Sequence, residues 1–296
     1  MKRTRRRFLS ELSAVGALAT CGFLPASDVD AAESNDTKTG PRIGVCDWSI
    51  GKRQQLDALD LAAEIGFSGV QFSFGAPTDG FDLRREADRK SLLEKSKTTG
   101  VEIASLAMGV LNGIPYSTDD RAERWVEECV DMTGGLDIPA EAKQILLAFF
   151  GAGDINGDED KIRSTIERLR KVAPRAEKAG VTLAIESWMN ADTHSRILDA
   201  VDSPAVKVYY DTANMTKMGY DIHAEIRQLG DAICQIHCKE NGYLLGEGLV
   251  DFPKVRESLE AIDYDGWLIV ESATKRGQSL EDCYKHNITY LQKVFG

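Results

Sequence analysis

The sequence contains no CxxC pair, and its cysteines do not form a disulfide framework. Six are present: Cys21, Cys46, Cys129, Cys234, Cys238 and Cys283. Cys21 lies in the N-terminal leader, and the remaining odd five read as buried free thiols. Basic charge is also short, since 36 Lys and Arg stand against 47 Asp and Glu, for a net −11. The first 32 residues hold five basic and three acidic side chains, so the rest of the chain stands at about −13. Such a body lacks the basic excess on which non-specific nucleic-acid binding rests, which argues against a nucleic-acid partner. No G-x-G-x-x-G turn follows the first apolar run, where Ser49-Ile50-Gly51-Lys52 stands instead. That removes the fingerprint of an open dinucleotide-binding sheet. There is no internal repeat beyond an alternation of elements, and no low-complexity segment in the body.

The 296 residues suit one large α/β domain behind a leader. A 43% hydrophobic and 28% charged composition is that of a globular protein able to bury a core without staples. The leader has a basic start and then an apolar stretch from Leu12 to Leu24, too short for an ordinary membrane helix. Arg5-Arg6-Arg7-Phe8-Leu9 resembles the twin-arginine export signal, and Val29-Asp30-Ala31 offers small residues for cleavage. The expectation is a signal peptide over 1–31, a polar linker over 32–41 and a barrel domain over 42–296. The mature protein would then be exported to a bacterial periplasm, with no stable membrane span. Homo-oligomerisation is left open.

From Arg42 onward, apolar runs alternate with helical patterns. The first four strands are read at 42–48, 69–74, 101–108 and 144–150. Helices are read at 54–65, 83–99, 118–132 and 159–179, with Ser117 or Thr118 capping the third and Pro174 bending or breaking the fourth. Further helices are read at 193–201, 222–229, 252–262 and 279–294. Four more apolar runs complete the set, and each ends in a metal-ligating residue type: VTLAIE at Glu186, VKVYYD at Asp211, ICQIH at His237 and WLIVE at Glu271. Their spacings of 25, 26 and 34 residues are each about one strand–helix unit. Eight such units predict an α/β protein with the closed (β/α)8 TIM barrel fold. Its chemistry belongs at the C-terminal ends of the strands.

On adjacent parallel strands the four residues converge, and three carboxylates do not gather without a cation. We therefore read Glu186, Asp211, His237 and Glu271 as the ligands of one divalent ion: Mn²⁺, Mg²⁺, Co²⁺ or Zn²⁺ with open positions. Such an ion can polarise a carbonyl and acidify the neighbouring C–H. Glu186 and Glu271 flank the arc and suit proton removal and return. This points to sugar isomerisation or epimerisation through a metal-stabilised enediolate, with a small carbohydrate as substrate. A metal-dependent lyase or dehydratase acting on a 3-keto-glycoside or inosose uses the same chemistry. A non-catalytic carbohydrate-binding barrel is the alternative of another class. Trp48, Phe72, Phe74 and Trp188, at or just past strand ends, either stack on a sugar or close the barrel top. Lys239 and Glu240 either line the pocket or form a structural ion pair. Cys238 should point away from the site.

The motifs Ile185-Glu186-Ser187, Asp211-Thr212-Ala213-Asn214, His237-Cys238-Lys239-Glu240, Gly246-Glu247-Gly248 and Val270-Glu271-Ser272 resemble those of the xylose isomerase-like TIM-barrel family. The family includes sugar phosphate isomerases and epimerases, inosose dehydratases and endonuclease IV. The resemblance implies the same four ligands, with Glu186 and Glu271 doubling as acid and base. Family epimerases often carry His where Asn214 stands and Arg where Tyr243 stands. Asn214 is thus the expected substrate-facing residue at its position, and the two changes point away from a standard ketose 3-epimerase.

Overall fold

The computed structural model describes residues 41–272 and 274–296. The leader and almost all of the linker lie outside the described residues. Eight parallel strands close into a barrel in chain order. They are β1 (Arg42–Cys46), β2 (Gly69–Ser73), β3 (Glu102–Met108), β4 (Gln144–Ala148), β5 (Thr182–Glu186), β6 (Val206–Asp211), β7 (Ile233–Cys238) and β8 (Trp267–Val270). β8 pairs back onto β1, with Arg42 opposite Trp267 and Val45 opposite Val270. The helices around it are α1 (Asp57–Ile65), α2 (Glu86–Thr99), α3 (Asp120–Gly134), α4 (Glu159–Ala179), α5 (Ala191–Val201), α6 (Thr212–Lys217), α7 (Ile222–Leu229), α8 (Phe252–Glu260) and α9 (Leu280–Phe295).

Strand side chains alternate between two separate cores. Leu183 and Ile185, Val208 and Tyr210, Ile236 and Cys238, and Leu268 and Val270 face the helices in the larger one. Ala184, Tyr209, Trp267 and Ile269 fill the barrel interior with Cys46, Ala104, Ala107, Leu146 and Ala148. Continuing the inward parity by two residues on β5 to β8 brings Glu186, Asp211, His237 and Glu271 to the upper end of the interior. At the lower end Trp267 plugs the barrel. It fits because Gly69 has no side chain; a Cβ there would lie 2.5 Å from the indole.

Local chemistry accounts for the helix ends. Asp119, Asp158, Asn190, Asp221, Asp251 and Ser279 each accept a backbone N–H in the first turn of the helix that follows. Gly66, Gly100 and Gly180 close α1, α2 and α4 in the left-handed conformation. One expectation is corrected, and of the two outcomes expected at Pro174 the break is ruled out. The α3 cap is Asp119, whose carboxylate takes Arg121 N–H, and neither Ser117 nor Thr118 caps it. α4 also runs unbroken through Pro174. That proline sits on the exposed face, and Arg170, whose carbonyl loses its partner, is exposed as well.

Candidate metal centre and substrate cavity

The four predicted residues meet. One ligand atom from each of Glu186, Asp211, His237 and Glu271 lies within 4.8 Å of the others. His237 Nδ1 is 2.8 Å from Glu186 Oε1, 3.6 Å from Glu271 Oε2 and 3.8 Å from Asp211 Oδ2. Asp211 divides its carboxylate between two tasks. Oδ1 accepts the Asn214 N–H at 2.7 Å and so caps α6. Oδ2 is buried, aimed into the cluster, and has no hydrogen-bond partner. A buried carboxylate oxygen without a donor is costly, and a cation on the open side of the cluster would relieve it.

The same geometry explains the electrostatics. Burial, with added repulsion from Glu186 and Glu271, pushes Asp211 up to about 7 despite the opposing pull of Lys239 and His237. Burial also works against an ionised Glu271. The His237 and Lys239 charges, with hydrogen bonds from Lys239 and Trp48, outweigh it and hold that carboxyl below its ordinary range. Burial alone would lower His237, but the surrounding carboxylates raise it. Lys239 Nζ donates to Glu271 Oε2 at 2.8 Å and stands 3.5 Å from Asp211 Oδ2. The Trp48 indole N–H donates to Glu271 Oε1 at 2.8 Å.

A buried polar chain lies beneath His237. Its Nε2 faces the Gln71 carbonyl oxygen at 2.9 Å. The Gln71 amide nitrogen donates to Ser105 Oγ at 2.9 Å, and Ser105 Oγ donates to Gln235 at 2.6 Å. With Gln71 accepting at Nε2, Nδ1 is the nitrogen presented to the carboxylates. These features fit a divalent ion with oxygen ligands and one imidazole.

Above the cluster opens a cavity of about 270 Å³. It is lined by Trp48, Trp188, Asn214 and Lys239 from the sequence reading, together with Arg53, Asn112 and Phe150. Three residues considered for the site lie elsewhere. Phe72 is fully buried on the helix-facing side of β2, edge-on to Phe81 at 5.7 Å. Strand parity puts Gln71 inward and Phe72 outward. Phe74 belongs to that same outer core. Glu240 does not line the cavity. Its carboxylate accepts the N–H groups of Leu249 and Val250 and braces the loop before α8. Tyr243 is 54% exposed and does not line the cavity either. Cys238 points away, as expected.

Gln71 shares β2 with a second polar residue, Ser73, so its polarity does not mark the inward parity, whereas Phe150 is readable as an aromatic just past a strand end. Arg53 sits in an irregular turn and Asn112 ends a single 3-10 turn, Gly109–Asn112, and neither is long enough to display periodicity.

A closed parallel eight-stranded barrel with a carboxylate–imidazole cluster at the C-terminal ends of its strands defines a class of TIM-barrel proteins. A family model described as Xylose isomerase-like TIM barrel matches residues 59–294, and the chain belongs to that family. The L-ribulose-5-phosphate 3-epimerase UlaE of Escherichia coli strain SMS-3-5 is 26% identical over 239 residues, which is 73% of this chain and 81% of that protein. The D-psicose 3-epimerase of Clostridium cellulolyticum H10 superposes with a TM-score of 0.72 at 17% identity, over 86% of this chain and 99% of that one. The 3-keto-D-glucoside 4-epimerase YcjR of E. coli gives a TM-score of 0.69 at 17% identity, over the same shares.

Proposed function

We propose that this protein is a divalent-metal-dependent sugar isomerase or epimerase that removes a proton beside a carbonyl. The observation that carries the reading is the buried cluster of Glu186, Asp211, His237 and Glu271, with Asp211 Oδ2 left without a donor. Relatives named as sugar epimerases support it. Glu186, Asp211, His237 and Glu271 would hold the ion. When bound, it supplies Lewis acidity that acidifies the C–H beside the carbonyl and offsets the charge of the enediolate.

The remaining work falls to the protein's side chains. Glu186 and Glu271 both line the cavity, and one takes the proton while the other returns one. Trp48 and Lys239 fix the two oxygens of Glu271 and keep it ionised, so it suits the role of base. Trp48, Phe150 and Trp188 offer faces and edges on which a sugar ring can rest and from which water is excluded.

Incubation of the Mn²⁺-loaded protein with ketoses, 3-keto sugars and inososes in D₂O tests the reading. Solvent deuterium should enter the substrate carbon and should fail to enter with Glu271→Gln or with chelator. Unchanged product mass apart from the label identifies isomerisation, whereas loss of water or an aglycone identifies elimination instead. Tight sugar binding with no exchange in a metal-loaded sample would overturn the proposal.

A further inference from the structure

The cavity lining is balanced in charge where the chain is acidic. Overall the protein carries −11. Apart from Glu186 and Glu271 in the cluster, the charged side chains lining the cavity are Arg53 and Lys239. Lys239 is committed to Glu271 and Asp211. Arg53 has no such commitment. Arg42, Arg84, Arg168, Arg175 and Arg196 each hold a carboxylate within ion-pair distance. Among the described residues Arg53 holds none. Its guanidinium lies 5.7 Å from the centre of the Trp48 ring. The carboxylate whose charge it feels, Asp47, is already occupied.

That occupation shapes the loop. Asp47 is fully buried; its Oδ2 accepts the N–H groups of Gln54 and Ser73, both at 2.8 Å, and its Oδ1 accepts the Ser73 hydroxyl at 2.6 Å. Gln54, next to Arg53, is held at φ +56, which is uncommon for a residue with a side chain. Its amide also donates to the Phe81 carbonyl at 2.8 Å. A buried carboxylate and a strained backbone thus fix the turn that carries Arg53. Across the mouth, Gly109 leaves room for the guanidinium, since a Cβ there would stand 3.3 Å from Arg53 Nη1. A second cation, Lys217, lies 5.3 Å from the ring of Trp188 on the β5–β6 side of the barrel, also without a carboxylate.

We propose that the substrate carries an anionic group, a carboxylate or a phosphate ester, and that Arg53 receives it. The planar guanidinium fork matches either oxyanion in two parallel hydrogen bonds. The assignment rests on reading the cavity as a carbohydrate site.

Calorimetric titration of the Mn²⁺-loaded full chain tests it with matched sugars: L-ribulose against L-ribulose 5-phosphate, and D-fructose against D-fructose 6-phosphate and D-fructuronate. The acidic member of at least one set should bind about tenfold or more tighter than its neutral partner. The phosphate and uronate arms show which oxyanion is preferred. In Arg53→Gln the preference should collapse, and in Arg53→Lys it should fall to an intermediate value, because charge remains and the fork is lost. Neutral sugars binding as well as the acidic ones, no binding of any acidic member, or a preference that survives Arg53→Gln overturns the assignment. Deuterium exchange in the same samples separates it from the reaction proposed above. Arg53-dependent binding without exchange keeps the anionic site and removes the isomerase, while exchange on neutral sugars without an Arg53 effect does the reverse.

Discussion

His237 is gripped on both nitrogens, and the grip beneath it sets its chemistry. Gln71 cannot turn its amide over without setting its NH₂ against the imidazole N–H and its carbonyl oxygen against the acceptor oxygen of Gln235. Gln71→Leu should therefore lower Mn²⁺ affinity about 10–100-fold, the usual cost of losing the partner behind a metal-bound histidine. Calorimetry of the ion alone reads this, and an unchanged affinity would show that the chain beneath His237 has no part in holding the metal. A second buried histidine gives a pH effect. His194 Nε2 lies 3.1 Å from Ser187 Oγ, and burial depresses the imidazole to about 4, against a smaller upward pull from the Asn190 backbone. The folded value is below the unfolded one, so the neutral form is favoured on folding. Its contribution is complete above about pH 6.5 and is lost as pH falls toward 4. Over that window the stability difference between wild type and His194→Gln, read by urea unfolding, should narrow by roughly 3 kcal/mol.

At the scale of the element, parity decided what could be read. The four cluster residues each end an apolar run in which Lys207 is the one other charged group, so their placement needs only the assumption of neighbouring strands. β2 is buried along its whole length, and GVQFSF does not announce which of its alternate residues face the interior. Phe72 therefore reads from the sequence as a site residue, whereas Gln71 holds the inward parity. α6 was not visible either. It spans six residues and its cap, Asp211, was already engaged as a ligand. Arg53 depends on a turn pinned by a carboxylate in the preceding strand, a contact without a spacing rule. The floor of the barrel gives a prediction of its own. Gly69→Val would drive a branched side chain into Trp267, and the ring has Arg42 4.4 Å over its face. The variant should lose about 1–3 kcal/mol or more on thermal or urea unfolding, as overpacked cores do. Gly51→Ala meets no atom within 4 Å and carries only the strain of its φ of +71. It should cost less.

For the molecule as a whole, the described residues include no helix long and apolar enough to cross a membrane. We propose that residues 1–31 direct export by a twin-arginine route, on the strength of Arg5-Arg6-Arg7-Phe8-Leu9 alone. Replacing Arg5 and Arg6 with Lys in a bacterial host should leave the protein in the cytoplasmic fraction. Periplasmic recovery of that variant would remove the assignment. Such a route carries folded proteins, and the closure of the barrel bears on this. Among the described residues β1 is the first strand, and its neighbours in the ring are β2 and the last strand, β8. Trp48, just after β1, bonds Glu271, just after β8. The carboxylate–imidazole cluster thus spans the seam where β1 and β8 meet. During synthesis Glu271 emerges after Glu186, Asp211 and His237. A chain still lacking β8 has three of the four cluster residues and two unpaired strand edges, so on the metal-dependent function proposed above tight ion binding would report a finished ring.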